Sequence, residues 1–298
     1  MTFLKSRRDL FFAALMGGTM LSASLLFSPA TQADESYKLV ESGRLTIATT
    51  SEMPGIVPEG DKLLGYDGEI LQIVTDRLGL AINPVKMEWS GVIASVQAGR
   101  MDVLGGQVGW TEERTKILAL TDPTSYFQNG IAHKADAGFS KLADLEGKAV
   151  GTITGFSFIP ELQKIKDINL SFYDNQDAAL RDLLAGRVEA VIADPPAVGY
   201  AIKQNPDWKI AFTPFSDDNP DFPMLTGKGR QFVFGVNAEN TKLAADMNRV
   251  IRELWADCTV RKIGEKYGMV SDVWYDPGDA DLRRGVDRPQ DWTPPVCK

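Results

Sequence analysis

Histidine occurs once in the 298 residues, cysteine twice, and lysine and arginine nowhere form a run longer than two. With His133 alone, a His/Cys metal centre or a Ser-His triad has too little to build from. No metal or cofactor is expected, and His133, in the apolar stretch "GIAHK", reads as an ordinary strand residue. Cys258 and Cys297 form no CxxC pair; they suit one disulfide in an oxidising compartment. A formal charge of −8 without clustered cations excludes nucleic acid as a partner, because phosphate neutralisation needs a basic patch. "GKGRQF" at 227–232 lacks the third glycine and the preceding strand of a dinucleotide loop.

What is present is the composition of a globular protein, 44% hydrophobic and 24% charged, long enough for two domains. Residues 1–33 read as an export signal. Lys5, Arg7 and Arg8 precede the apolar "LFFAALMGGTMLSASLLF", and small residues at Thr31-Gln32-Ala33 offer a cleavage site. "SRRDLFF" carries a twin-arginine pair, which would mean export in a folded state. An uncleaved anchor is the alternative, since about 18 apolar residues is the lower edge for a membrane span. Glycine and serine dilute the run and favour cleavage near Ala33.

The chain then repeats itself. "VQAGRMDVLGG" (96–106) and "LLAGRVEAVIAD" (183–194) share one order: helix end, Ala-Gly-Arg, an apolar residue, an acid, a buried strand. Gly99 and Gly186 suit the left-handed position that ends a helix. Val92, Ile93 and Val96, and in the second copy Leu180, Leu183 and Leu184, recur at helical spacing. "GRLTIATTS" (43–51) and "GKAVGTITG" (147–155) both read as a strand running into a small-polar loop. "GEILQIVTDRLG" (68–79) places Ile70, Ile73, Val74 and Leu78 on one helix face, and Leu243, Met247, Val250, Ile251 and Leu254 do so later. Alternating strands and helices imply α/β architecture with parallel sheets, built twice. Ligands of such sheets bind beyond the strands' carboxyl ends, which nominates Thr49 to Met53, Gly105 to Trp110, Thr154 to Ser157, and Asp194.

From about residue 38 to 270 the motifs resemble the extracytoplasmic solute-binding proteins of the polar amino-acid type, family 3, which serve ABC importers. They are "GYDGEI", "WSGVIASVQAGRMDVLGG", "TEER" leading to "LTDP", "LADLEGKAVGTITG" and "VEAVIADPPAVGYAI". The resemblance implies a two-lobed periplasmic-binding-protein fold, two parallel-sheet domains joined by two crossing strands, with a ligand cleft between. Lobe 1 would comprise 38–128 plus 237–270 and lobe 2 129–236, with crossings near Tyr126–Ile131 and Gln231–Val236. Residues 271–298 form an irregular tail outside the resemblance, pinned by Cys297. The implied partners are a small zwitterionic ligand and an inner-membrane ABC permease, the protein acting in the periplasm as a monomer and without chemistry.

In "GWTEERTKILALTDP" (109–123) Arg114 matches the family's carboxylate-binding arginine. A guanidinium fits because its planar fork meets a carboxylate with two parallel hydrogen bonds. A surface cation beside Glu112 and Glu113 is the alternative. Asp194 matches the acid that holds the ligand's α-ammonium; capping the helix that starts at Pro195 is its other role. The remaining expected contacts are Thr50, Glu52, Met53, Gln107, Gly109, Phe156 and Ser157. Thr50 stands where family members selective for cationic side chains carry an acid, so a net-neutral ligand is expected. Trp89 and Trp110 supply either aromatic walls or packing. The runner-up function is a periplasmic dehydratase acting on prephenate-like acids, for which Glu52 is the one spare carboxyl in the cleft loops; as a solvated loop acid it would have no such role.

Overall fold

The computed structural model describes residues 37–278 and 282–297; the export signal read at 1–33 lies outside them. Tyr37 onward forms one unit containing two main sheets. Arg44–Thr49 is buried at every position after the first, because parallel strands under helices have no solvent face. It pairs in parallel with Ala81–Lys86 and Val103–Gly109. In the second sheet Ala149–Ile153 pairs in parallel with Asn169–Tyr173 and Ala190–Ile192. In both sheets the strands lie in the order second, first, third, then a strand from across the molecule.

The duplication reaches single hydrogen bonds. The acid of "GRMDV", Asp102, accepts the N–H of Thr46 at 2.7 Å on the opening strand of its sheet. The acid of "GRVEA", Glu189, accepts the N–H of Ala149 at 3.2 Å, again on the opening strand. Each copy thus ties its helix end to its first strand. The two glycines match as well: Gly99 sits at φ 68° and Gly186 at φ 73°, where a Cβ would be strained.

The helix Thr241–Ala256 lays Leu243, Met247, Val250, Ile251 and Leu254 into the first lobe, all fully buried. Each contributes about 1.5–3 kcal/mol by leaving water. His133 is a buried strand residue whose ring nitrogens meet Lys134 O and Thr213 Oγ1.

The sheets are mixed, not parallel throughout. Arg230–Asn237 runs antiparallel to Val103–Gly109, Leu118–Leu120 and Ser125–Phe127, and Gly130–Lys134 runs antiparallel to both its neighbours. A chain that crosses between lobes and returns must insert strands of opposite sense, which the repeat alone did not reveal. The chain changes sheet at 128–129 and returns between Thr226 and Arg230. That return precedes the expected Gln231–Val236, because Arg230–Asn237 is wholly engaged in the first sheet.

The tail is irregular in secondary structure but closely bound. Tyr126 Oη donates to Pro295 O at 2.7 Å, and Arg283 is fully buried against the first lobe. Cys258 and Cys297, the pair expected to form a disulfide, adjoin with their sulfurs as thiols in this structure. Burial and a hydrogen bond to Cys258 push the Cys297 thiol up to about 11. Among the described residues no helix is long and apolar enough to cross a membrane.

Candidate functional site

A cavity of about 770 Å³, counting its open mouth, lies between the two sheets. All nine residues expected to touch ligand line it: Thr50, Glu52, Met53, Gln107, Gly109, Arg114, Phe156, Ser157 and Asp194. The reason is topological. Each follows or ends a strand at its carboxyl edge, and the two edges face one another.

Arg114 lies in the first turn of a helix, where the dipole disfavours a cation. Thr111 caps the one-turn helix Glu112–Thr115 by accepting the N–H of Arg114 at 3.2 Å, which aims the side chain inward. The guanidinium is buried, donates through Nη1 to Gly109 O, and lies 5.4 Å from the centre of the Trp89 ring. It forms no ion pair among the described residues; Glu112 pairs instead with Lys116 at 3.7 Å. Burial pulls its pKa down to about 10, against the opposing field of Asp194. It is therefore not a surface cation.

Asp194 precedes the helix Pro195–Gln204, yet its carboxylate caps nothing. Its backbone N–H donates to Gln176 Oε1 at 3.1 Å, and its carboxyl faces the cavity. Burial, with Glu52 adding to it, raises its pKa to about 7, while Arg114 opposes. Glu52 is also raised, by burial and then by Glu88.

Asp67, from "GYDGEI", is the contrasting buried acid. It accepts N–H groups from Gly106 and Gln107 and the hydroxyl of Thr124 at 3.1 Å. Burial raises its pKa to about 6 while those bonds lower it. Its work is to hold the turn in which Gln107 adopts φ 65°, a left-handed conformation unusual for a residue with a side chain. The side-chain Nε2 of Gln107 is buried in that turn without an acceptor.

Several lining residues were not anticipated: Asn129, Gln176, Phe127, Phe232 and Arg230. Gln176 lies just beyond the strand Asn169–Tyr173, so the carboxyl-edge rule would have nominated it. Phe127 and Phe232 stack at 3.9 Å between centroids on paired strands, and Arg230 lies 5.5 Å over Phe127. Trp89 does wall the cavity and donates through Nε1 to Gly155 O at 3.3 Å, from the first lobe to the second. Trp110 does not; it turns to the tail, where Nε1 meets Asp287 at 3.4 Å.

Two lobes built alike, facing each other over a cavity with a cation on one wall and an acid on the other, define a protein that encloses a small ligand. Residues 45–270 match the bacterial extracellular solute-binding proteins, family 3, and the chain belongs to that family. It is 28% identical to the L-cystine-binding protein TcyJ of Escherichia coli, over 85% of this chain and 94% of that one. It is 28% identical to the probable amino-acid-binding protein YxeM of Bacillus subtilis, over 74% and 81% respectively. Among solved structures, an ancestral arginine-binding protein bound to glutamine superposes with a TM-score of 0.64 at 26% identity, covering 77% of this chain and 99% of that one.

Proposed function

We propose that this protein is the periplasmic substrate-binding component of an ABC importer, and that it captures an amino acid or similar small zwitterion between its lobes. The observation that carries the reading is the pair Arg114 and Asp194. They approach one cavity from different sheets, Arg114 buried and Asp194 half-buried, and neither has its charge matched by an ion pair among the described residues. A guanidinium on one wall and a carboxylate on the other suit the two charges of an α-amino acid, and each lobe gains its partner only when the lobes embrace the ligand. The names of the relatives agree with an amino-acid ligand.

In this reading the chain is exported, its leader is removed near Ala33, and the loaded monomer docks on an inner-membrane permease. The protein holds its ligand and does no chemistry on it. The dehydratase alternative rests on Glu52 alone, and the named relatives are binding proteins. Titration calorimetry of the mature protein against the common amino acids and betaine-like solutes tests the proposal, with saturable one-to-one binding expected. A panel without a single binder, or release of an aromatic product from prephenate or arogenate, would overturn it.

A further inference from the structure

Arg114 and Asp194 account for one anionic and one cationic group on the ligand; of the other charged residues lining the cavity, Glu52 and Asp174 are acids and Arg230 is a second guanidinium. It opens the strand that returns from the second lobe, is 6% exposed, and lines the same cavity. Its Nε is buried with no hydrogen-bond partner. Its Nη1 has only the O of Pro223 at 3.4 Å and the sulfur of Met224 at 3.1 Å, and its Nη2 makes no hydrogen bond among the described residues. Among the described residues no carboxylate comes within ion-pair distance of it. The acid whose field acts on it, Glu161, spends both oxygens on the N–H groups of Met224 and Leu225, each at 2.9 Å.

The two guanidiniums converge. A methyl group placed on Gly109 would lie 3.9 Å from Arg114 Nη1 and 4.0 Å from Arg230 Nη2. Two like charges that each reach within 4.0 Å of that one point, away from water, form with the Gln107 amide that also lacks an acceptor a wall of donors. Such a wall is costly in the empty protein and becomes favourable only when anionic oxygens meet it.

We propose that the cleft selects a zwitterion bearing a second acidic group, a dicarboxylic α-amino acid in the simplest case, with Arg114 on one acid group and Arg230 on the other. The inference rests on the amino-acid reading above and replaces the net-neutral ligand expected from Thr50. That expectation counted Arg114 and Asp194 without Arg230.

Calorimetry with two isosteric pairs, L-glutamate with L-glutamine and L-aspartate with L-asparagine, tests it. The better acid should bind roughly 10- to 150-fold tighter than its amide, the range for a charge-assisted contact. Arg230→Gln should collapse that ratio toward one, and Arg230→Lys should restore part of it, which separates lost charge from lost folding. An amide that binds as tightly as its acid would refute the proposal, as would an Arg230→Gln variant that weakens acid and amide by the same factor. Neutral amino acids that bind through Arg114 with no preference for acids would leave the amino-acid reading intact and sink this inference alone. Binding by no amino acid would remove both.

Discussion

Arginine is buried in two regions of this protein, beneath the tail and in the cleft, and its surroundings there are opposite. Under the tail, Arg283 is fully buried, pairs with Asp287 at 2.5 Å, and donates to Leu120 O, Thr121 O and Gln231 Oε1. Arg288 beside it pairs with Asp122 at 3.0 Å and Asp287 at 3.2 Å, and Trp292 Nε1 adds a bond to Asp122 at 3.2 Å. In the cleft, Arg114 and Arg230 are as withdrawn from water but have no carboxylate at ion-pair distance among the described residues. Burial lowers the pKa of Arg114, Arg230 and Arg283 alike, so burial alone does not tell a structural arginine from a binding one. Satisfaction does. A saturated guanidinium holds the fold together, and an unsaturated one is held by the fold for something else.

The largest effect expected from breaking this contrast is on stability. Arg283→Met leaves Asp287 with Arg288 as its remaining arginine partner and takes one donor each from Leu120 O, Thr121 O and Gln231 Oε1. The full loss of one partner of a buried pair costs about 3–5 kcal/mol, which bounds the effect from above. Urea unfolding of the variant should show that loss while affinity, measured on the folded protein, moves less than about threefold. A stability change below about 1 kcal/mol would mean that the tail is only draped over the first lobe.

The tail offers a second, slightly smaller lever. Joining Cys258 to Cys297 closes about 40 residues and should stabilise the fold by roughly 4 kcal/mol in the chain-entropy model. Their thiols adjoin, so an oxidising compartment needs only to remove two electrons. Thiol labelling of the unfolded, unreduced mature protein should find none free, and two per chain would end the disulfide proposal.

The cleft arginine should behave in the reverse way. Arg114→Ala is expected to cost about 2–4 kcal/mol of affinity, roughly 30- to 1,000-fold. Arg114→Lys should fail almost as badly, because lysine keeps the charge and loses the fork. The empty protein should melt no lower, since the variant removes a cation that is buried without an ion pair at the positive end of a helix. Binding by Arg114→Ala within about threefold of the parent would detach Arg114 from the ligand.

The same contrast marks what the sequence made legible. The repeat of Gly-Arg-apolar-acid carried the duplicated α/β plan because each residue there has a local reason: a left-handed cap, a helix face, a strand end. Eight of the nine expected cleft contacts fall in loops that the carboxyl edges of strands nominate, while Arg114 came from the family resemblance. Arg230 was not readable. It follows the glycines of "GKGRQF", and its place in the cleft is fixed by a return strand whose direction depends on the lobe crossing. Whether Trp110 walls the cleft or packs was left open for a related reason: its partner Asp287 is 177 residues away in a tail without periodicity. Nor did the spacing show that Asp194 leaves its own helix uncapped, which only the side-chain geometry reveals.

The smallest effect expected is also the most diagnostic of the cleft acid. The carboxyl of Asp194 titrates near 7 in the empty protein, above its ordinary 3.8, because burial and the neighbouring Glu52 disfavour its charge while Arg114 favours it. An ammonium group needs the carboxylate, so below pH 7 binding must expel a proton, and affinity should fall by up to tenfold per pH unit. Stability of the empty protein should move the other way. A raised folded pKa means a charge-burial cost that is fully present above 7 and is relieved as pH falls from 7 toward 4. Glu52 and Asp67 face the same cavity or its supporting turn and are raised too, so the parent's slope is a sum. The difference between parent and Asp194→Asn isolates one carboxyl: the variant should bind more weakly at about pH 8 and lose most of the slope toward about pH 5. Calorimetry in buffers of different ionisation heat counts the proton released on binding. A parent whose affinity is flat over that range, with no proton released, would show that Asp194 never meets the ligand's ammonium.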